Sequence, residues 1–534
     1  MEVRCAGEKP GQAGRIPAHP RPPLLGCGTT ISFPPAPNPG PMRLPVAVLL
    51  VVALLAGCAS HKAPPPAAPA PTTTPAPPGI VPAASQVPLE FQAGFAAAAV
   101  DTGFPGGEPS IGVTSKGNAF VSTFENGPNG LVPHVAKSTD GGRTWSLAAN
   151  PLGAPTTADP MLWVDPLTDR IFTSDLYVGC AYQSVSDDQG ATWTASPIAC
   201  GLPGIDHQKV ASGPYPAGAA QGQVAGAVYK DIVSFCYNKL AATDCAVSLD
   251  GGAHYEVDTI VDSGNVDPII DTPLSCGGLS GHQHHASDGT IYVPYGYNCG
   301  QAYIGVSTDG GLTWSTHRTG LPSLYVDMAI ASTPDGMAYL FAKDNNQTVY
   351  MARSKDRFAT VQGPFRVSPP EVTGTEFTVM VAGSDGRVAF AYLGNTQNVN
   401  GTLEDDMPAD TVWNLYATMT VDAEATPPTF VTTQVNAKGD PVQRGSICMH
   451  RSQNTDSGCK EDPGGTTDHN LLDFIDMAVG PDGRFWIVFT DGCVSKKCLE
   501  PGQRDIATSH DAHVSVARQV LGPSLYADKP PIAG

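Results

Sequence analysis

Ser138-Thr-Asp-Gly-Gly-Arg-Thr-Trp145 returns as Ser186-Asp-Asp-Gln-Gly-Ala-Thr-Trp193, Ser248-Leu-Asp-Gly-Gly-Ala-His-Tyr255 and Ser307-Thr-Asp-Gly-Gly-Leu-Thr-Trp314. A weaker copy follows at Ser354-Lys-Asp-Arg-Phe-Ala-Thr360. Recurrence at intervals of roughly 45 to 65 residues marks one supersecondary unit stacked many times. The phrase itself identifies the unit. An Asp ahead of Gly-Gly is a tight turn: its carboxylate accepts from backbone N–H groups just downstream, and glycine supplies the positive φ. The closing aromatic opens the returning strand and packs beneath the turn. A hairpin staple repeated in this way predicts an all-β ring of blades, a β-propeller.

The phrase resembles the Asp-box repeat, Ser-x-Asp-x-Gly-x-Thr-Trp, of the sialidase-like propeller superfamily, and the resemblance covers most of the chain after about residue 100. It implies a sialidase-like β-propeller with the boxes on the blade periphery, away from any active site. Seven stretches read as inner strands. They are Glu108-Pro-Ser-Ile-Gly-Val, Asp159-Pro-Met-Leu-Trp-Val, Asp206-His-Gln-Lys-Val-Ala, Gly281-His-Gln-His-His-Ala, Val326-Asp-Met-Ala-Ile-Ala, Glu376-Phe-Thr-Val-Met-Val and Asp473-Phe-Ile-Asp-Met-Ala-Val. Strands of this length bounded by Asp-Gly turns, as at Ser384-Asp-Gly and Pro481-Asp-Gly, predict seven blades. Six, the number in the sialidase domain, is the alternative. Blades six and seven lack clear boxes, although Asp422 and Asp511 stand where the box aspartate belongs.

Ahead of the ring, Met42-Arg-Leu-Pro-Val-Ala-Val-Leu-Leu-Val-Val-Ala-Leu-Leu-Ala-Gly-Cys58 combines one basic residue, an apolar run and small residues before a cysteine. This pattern is a secretory signal, too short for a mature transmembrane helix. Leu55-Ala-Gly-Cys58 resembles the bacterial lipobox, which implies lipidation of Cys58. The expected organisation is a mis-assigned extension over 1–41, a signal peptide over 42–57, a lipidated cysteine with a Pro/Ala-rich spacer over 58–89, and the propeller over 90–534. The expected location is the extracytoplasmic face of a membrane, reached through the lipid alone. Ten of the thirteen cysteines follow Cys58, in close neighbours: Cys180 and Cys200, Cys236 and Cys245, Cys276 and Cys299, Cys448 and Cys459, Cys493 and Cys498. An even number in an exported chain points to disulfides, expected here as five local bridges. A net charge of −20 excludes a nucleic-acid partner, which needs a basic footprint. The expected state is a monomer.

Inner strands of a propeller converge on its axis, so residues at their starts ring one mouth of the channel. Asp159, Asp206, Asp327 and Asp473 are the candidate catalytic carboxylates there. His207, His282, His284, Glu376 and Asp476 are candidate binding groups, and Tyr295 is a candidate for stacking on a sugar ring. His282 and His284 share one strand face, as a metal site would want, yet a histidine at such a position commonly bonds an adjacent blade; neither metal nor cofactor is expected. The resemblance implies further demands for sialidase activity: three arginines on the sugar carboxylate, a Tyr–Glu nucleophile and an Asp for proton transfer. The family's Arg-Ile-Pro motif occurs as Arg15-Ile-Pro17, ahead of the signal and out of the ring's reach, and Arg353, Arg444, Arg451 and Arg484 fall in no certifying motif. Three functions follow as expectations: a glycan-directed propeller, with or without glycoside hydrolysis; a protein-binding scaffold using the loops at 394–412 and 436–470; and an intact sialidase.

Overall fold

The computed structural model describes residues 85–86, 94–127, 130–149, 159–177, 180–198, 205–216, 226–239, 242–255, 257–261, 279–296, 299–321, 328–398, 401–449, 470–499 and 512–533. Seven antiparallel sheets succeed one another along the chain, each built outward from an inner strand. The inner strands are Ile111–Val113, Met161–Val164, Ile205–Gly213, His284–His285, Ala329–Ser332, Gly374–Ala382 and Asp476–Val479. The protein is a seven-bladed, all-β propeller. The extension, the signal and Cys58 lie outside the described residues, as does the 58–89 spacer apart from Ser85–Gln86.

Each sheet is sandwiched between neighbours, so its middle strands are buried on both faces and read as continuous apolar runs. Val388–Asn395 is buried at all eight positions, and Ala338–Lys343 at all six. The seams are aromatic: Phe341 of blade five lies 4.8 Å from Phe390 of blade six. Arg353 crosses the same seam, donating to the carbonyls of Ala423 and Ala425.

The ring is closed by its own beginning. Blade seven takes its inner three strands from Asp476–Val479, Phe485–Asp491 and His513–Gly522, and its fourth from Ala96–Pro105. Ala96 pairs with Leu521 and Asp101 with Ser515. Before that closing strand, Ser85–Gln86 adds a short parallel strand to the outer edge of blade six.

The Ser-x-Asp turns join third and fourth strands. In the first copy Asp140 accepts from the Arg143 and Thr144 N–H groups and from the Ser138 and Thr144 hydroxyls, while Ser138 accepts from Gly142 N–H. The same net recurs around Asp188, Asp309 and Asp356. The two central positions are left-handed in the first copy (Gly141 φ 75°, Gly142 φ 81°) and remain so at Arg357 (57°) and Phe358 (62°). The fifth copy therefore keeps the turn without glycine, at about 1–2 kcal/mol per residue, and the Phe358 ring offsets this by packing edge-on against Tyr292 of blade four, 6.0 Å away. The closing aromatics also reach the preceding blade: Trp314 donates to Thr259, and Tyr255 accepts from Gln183. In blade six Asp422 accepts from Thr420 and from Thr429 N–H; Asp511 lies outside the described residues.

Cys236 and Cys245 stand directly opposite each other on adjacent strands of blade three and are bridged, as are Cys493 and Cys498. Cys299 and Cys448 are disulfide-bonded, and their expected partners Cys276 and Cys459 lie outside the described residues. Of the remaining expected pair, Cys200 lies outside the described residues and the Cys180 side chain is not described.

Candidate functional site

Strand direction alternates within a blade, so the starts of the inner strands share one end of the ring with the loops between second and third strands. The Ser-x-Asp turns lie at the other end. At the first end, the entries to blades one, two and three each hold a non-glycine residue in left-handed backbone: Glu108 (φ 48°), Asp159 (φ 50°) and His207 (φ 46°). Such geometry is uncommon outside turns, and clusters of it mark places where surrounding structure holds side chains in a chosen direction.

Those side chains meet. Asp159 is hydrogen-bonded by the carboxyl groups of both Glu108 and Asp206. Burial, then the Asp159 and Asp473 charges, pushes Glu108 well above the usual carboxylate range. Burial likewise lifts Asp206 to about 6, against the pull of His207. The His207 N–H donates to Asp206 (3.0 Å) and Asp159 (3.3 Å), and its Nε2 lies 3.4 Å from Asp473 Oδ2.

Phe474 forms the floor of this group. His207 and His282 meet its ring edge-on at 6.4 and 5.9 Å, and the Lys209 ammonium lies 4.9 Å from its centre. Beneath, Asp476 of blade seven accepts from the Ser110 hydroxyl (2.7 Å) and Ile111 N–H (3.0 Å) of blade one, clasping the ring where its ends meet. Burial raises Asp476 to about 6 despite these bonds. His282 Nδ1 is 3.8 Å from Asp476, and burial, with Lys209 and His207 nearby, holds that imidazole neutral. Below runs a channel of about 280 Å³, apolar for most of its length through Ile111, Leu162, Val210, Ile330, Val381 and Ala478.

The mouth thus gathers Asp159, Asp206, His207, Asp473 and His282, with Asp476 just beneath. Three other candidates are placed differently. His284 Nε2 accepts from Ser332 N–H and bonds its hydroxyl, tying blade four to blade five; burial drops its pKa to about 4. Glu376 is buried in an ion cluster with Lys343 and Glu404, where burial and the Glu404 charge lift it to about 8. Tyr295 is fully buried, stacked on Tyr303 with its hydroxyl on Thr316, so no sugar can lie against it. Asp327 is outside the described residues. Among the described residues no group of three His, Cys, Asp or Glu side chains is arranged to hold a metal ion. Arg353, Arg444 and Arg484 each donate to a backbone carbonyl, and Arg451 is outside the described residues. Phe474 and Lys209 were missed in the sequence; a lysine inside the otherwise apolar strand after Asp206-His-Gln was the available signal.

The loop wall beside the mouth is built from the polar insertion at 394–412. Lys343 holds Glu404, the Glu404 carbonyl accepts from Ile447 N–H, and Asp405 accepts from Met449 N–H. The insertion and the start of the loop after blade six are therefore one rigid piece.

No family model matches the chain, and no curated protein does. Solved structures similar to it include a protein of unknown function from Dyadobacter fermentans (12% identity, TM-score 0.40, 80% of this chain and 98% of that one). A lectin from Burkholderia pseudomallei matches at 12% identity and TM-score 0.43, over 73% and 93% of the two chains. A sialidase from Streptococcus pneumoniae matches at 11% identity and TM-score 0.38, over 81% and 70%.

Proposed function

We propose that the chain is a carbohydrate-binding propeller, carried outside the cell on a lipidated Cys58, whose recurring turns are the Asp-boxes of its superfamily. Its ligand site is the mouth formed by Glu108, Asp159, Asp206, His207 and Asp473. The observation that carries this is the convergence of those groups from blades one, two, three and seven. Carboxyls and a neighbouring imidazole offer the dense, two-way hydrogen bonding that a polyhydroxyl ligand requires. An anionic sugar would meet several carboxylates there, so neutral or amine-bearing saccharides fit and sialic acid does not. Glycosidases hold their carboxyl pair roughly 5–10 Å apart. Here the carboxyls are in direct hydrogen-bond contact, which supports binding over bond cleavage.

A glycan array probed with the full chain tests this. Neutral or hexosamine-containing glycans should be retained and lost in the Asp159→Asn variant, while fluorogenic glycosides should stay intact. Retention of sialylated glycans alone, or of none, would count against it. A second reading, a protein-binding scaffold, is favoured by the rigid wall of Glu404, Asp405 and Met449. Retention of an envelope protein that survives Asp159→Asn would select it.

A further inference from the structure

The channel beneath the mouth carries polar atoms that the saccharide reading does not use. Gln283 is more than nine-tenths buried and lines the channel; its amide nitrogen donates to the Lys209 and Ser234 carbonyls, while its Oε1 has no hydrogen-bond partner. His282 lines the same space, and its buried Nε2 also lacks a partner. Buried polar atoms are destabilising when left unsatisfied, so a donor placed in this space would be held. The charged lining groups, Lys209 and Asp476, are of opposite sign and act on each other. Everything else that faces the space is uncharged, and most of it is aliphatic. At about 280 Å³ the space falls at the small end of ligand pockets, which span roughly 300–1,000 Å³.

We propose that the central channel is a binding site for a small uncharged molecule with an apolar body and one hydroxyl group, the hydroxyl donating to Gln283 Oε1 beside His282 Nε2. The balance of Lys209 against Asp476 disfavours a ligand with net charge. Val381, Ala478 and Trp163 supply the apolar wall. An amide oxygen only accepts, so the ligand's polar end must be a donor.

The probes are 4-methylphenol and hexan-1-ol, titrated into the full chain and followed by saturation-transfer NMR, with hexanoate as the charged control. The expected result is saturable binding of both probes, with hexanoate at least tenfold weaker. Gln283→Leu should weaken 4-methylphenol at least fivefold, and Val381→Phe, which fills the channel, should abolish binding. Asp159→Asn at the mouth should leave it unchanged, so this site and the saccharide site fail separately. Circular dichroism melts confirm that each variant is folded. If Val381→Phe does not fold, Gln283→Leu carries the test alone. Uptake that never saturates, or saturable binding indifferent to Gln283→Leu or to a folded Val381→Phe, overturns the proposal.

Discussion

Replacing Asp476 by Asn should change stability by an amount that depends on pH, with a sign opposite to the ordinary surface carboxylate. The folded protein holds Asp476 at about 6, against an ordinary 3.8. A raised carboxyl binds its proton more tightly in the folded than in the unfolded state. Its contribution to stability is therefore complete below the unfolded value and is lost as pH rises through the folded one. The difference of about 2 pKa units corresponds to roughly 3 kcal/mol across the full range, of which about 2 kcal/mol falls between pH 4 and pH 8. Asn does not titrate and escapes that loss. It does lose a bond. Asp476 accepts from Ser110, Ile111 and Met477, and an amide must turn its NH₂ toward one of these donors. That leaves a buried donor unsatisfied, at about 1–3 kcal/mol. The variant should thus be clearly less stable than the parent at pH 4 and close to it at pH 8. Urea unfolding followed by far-ultraviolet circular dichroism at pH 4, 6 and 8 measures this. A difference that stays constant with pH, or grows toward pH 8, would show that the carboxylate is not destabilised at the clasp.

Asp309→Ala should lower stability by about 1 kcal/mol near neutral pH, through lost bonds from Ser307, Leu312 and Thr313. Hydrogen bonds to Thr313 hold this carboxyl below 3.8 despite partial burial, so its contribution is present above that value and fades as pH falls; the gap from the parent, read by urea midpoint, should narrow in acid. The paired change Cys236→Ser and Cys245→Ser opens a loop closed across nine positions and should cost about 2.5 kcal/mol; reductant should lower the parent's midpoint but leave the variant's unaffected by this bridge. Gly281→Ala would set a Cβ 1.8 Å from the Met328 carbonyl oxygen, a backbone atom that cannot swing away. The loss should reach the top of the roughly 1–3 kcal/mol range for overpacking, seen as a depressed melting midpoint.

The blade count was legible because turn chemistry is local. Asp140 and its N–H donors lie within a few residues of one another, so the sequence states the turn outright. The closing strand was not legible: Ala96-Ala-Ala-Ala-Val has no alternation, and its place depends on His513–Gly522, more than 400 positions away. At the mouth, position at a strand start identified which residues gather, but direction decided which face the axis. Glu376 is one residue from the left-handed Phe377 and turns to Lys343 and Glu404 instead. Tyr295 stands at the end of a second strand, and such a strand is covered on both sides. Nothing in a run of apolar residues tells an aromatic packed between sheets from one held toward a ligand.

Closure of blade seven by Ala96–Pro105 has a kinetic meaning. The seventh sheet is incomplete until the strand ending at Gly522 has been made and has found its partner near the chain's start. Pairings so remote in sequence form slowly, because loop-closure entropy must be met before any bond repays it. Six blades can assemble in order as open stacks, while the molecule as a whole locks in one late event. Trimming Ala96–Pro105 should therefore leave the His513–Gly522 edge bare to other chains, and trimming His513–Gly522 should leave the Phe485–Asp491 edge bare instead.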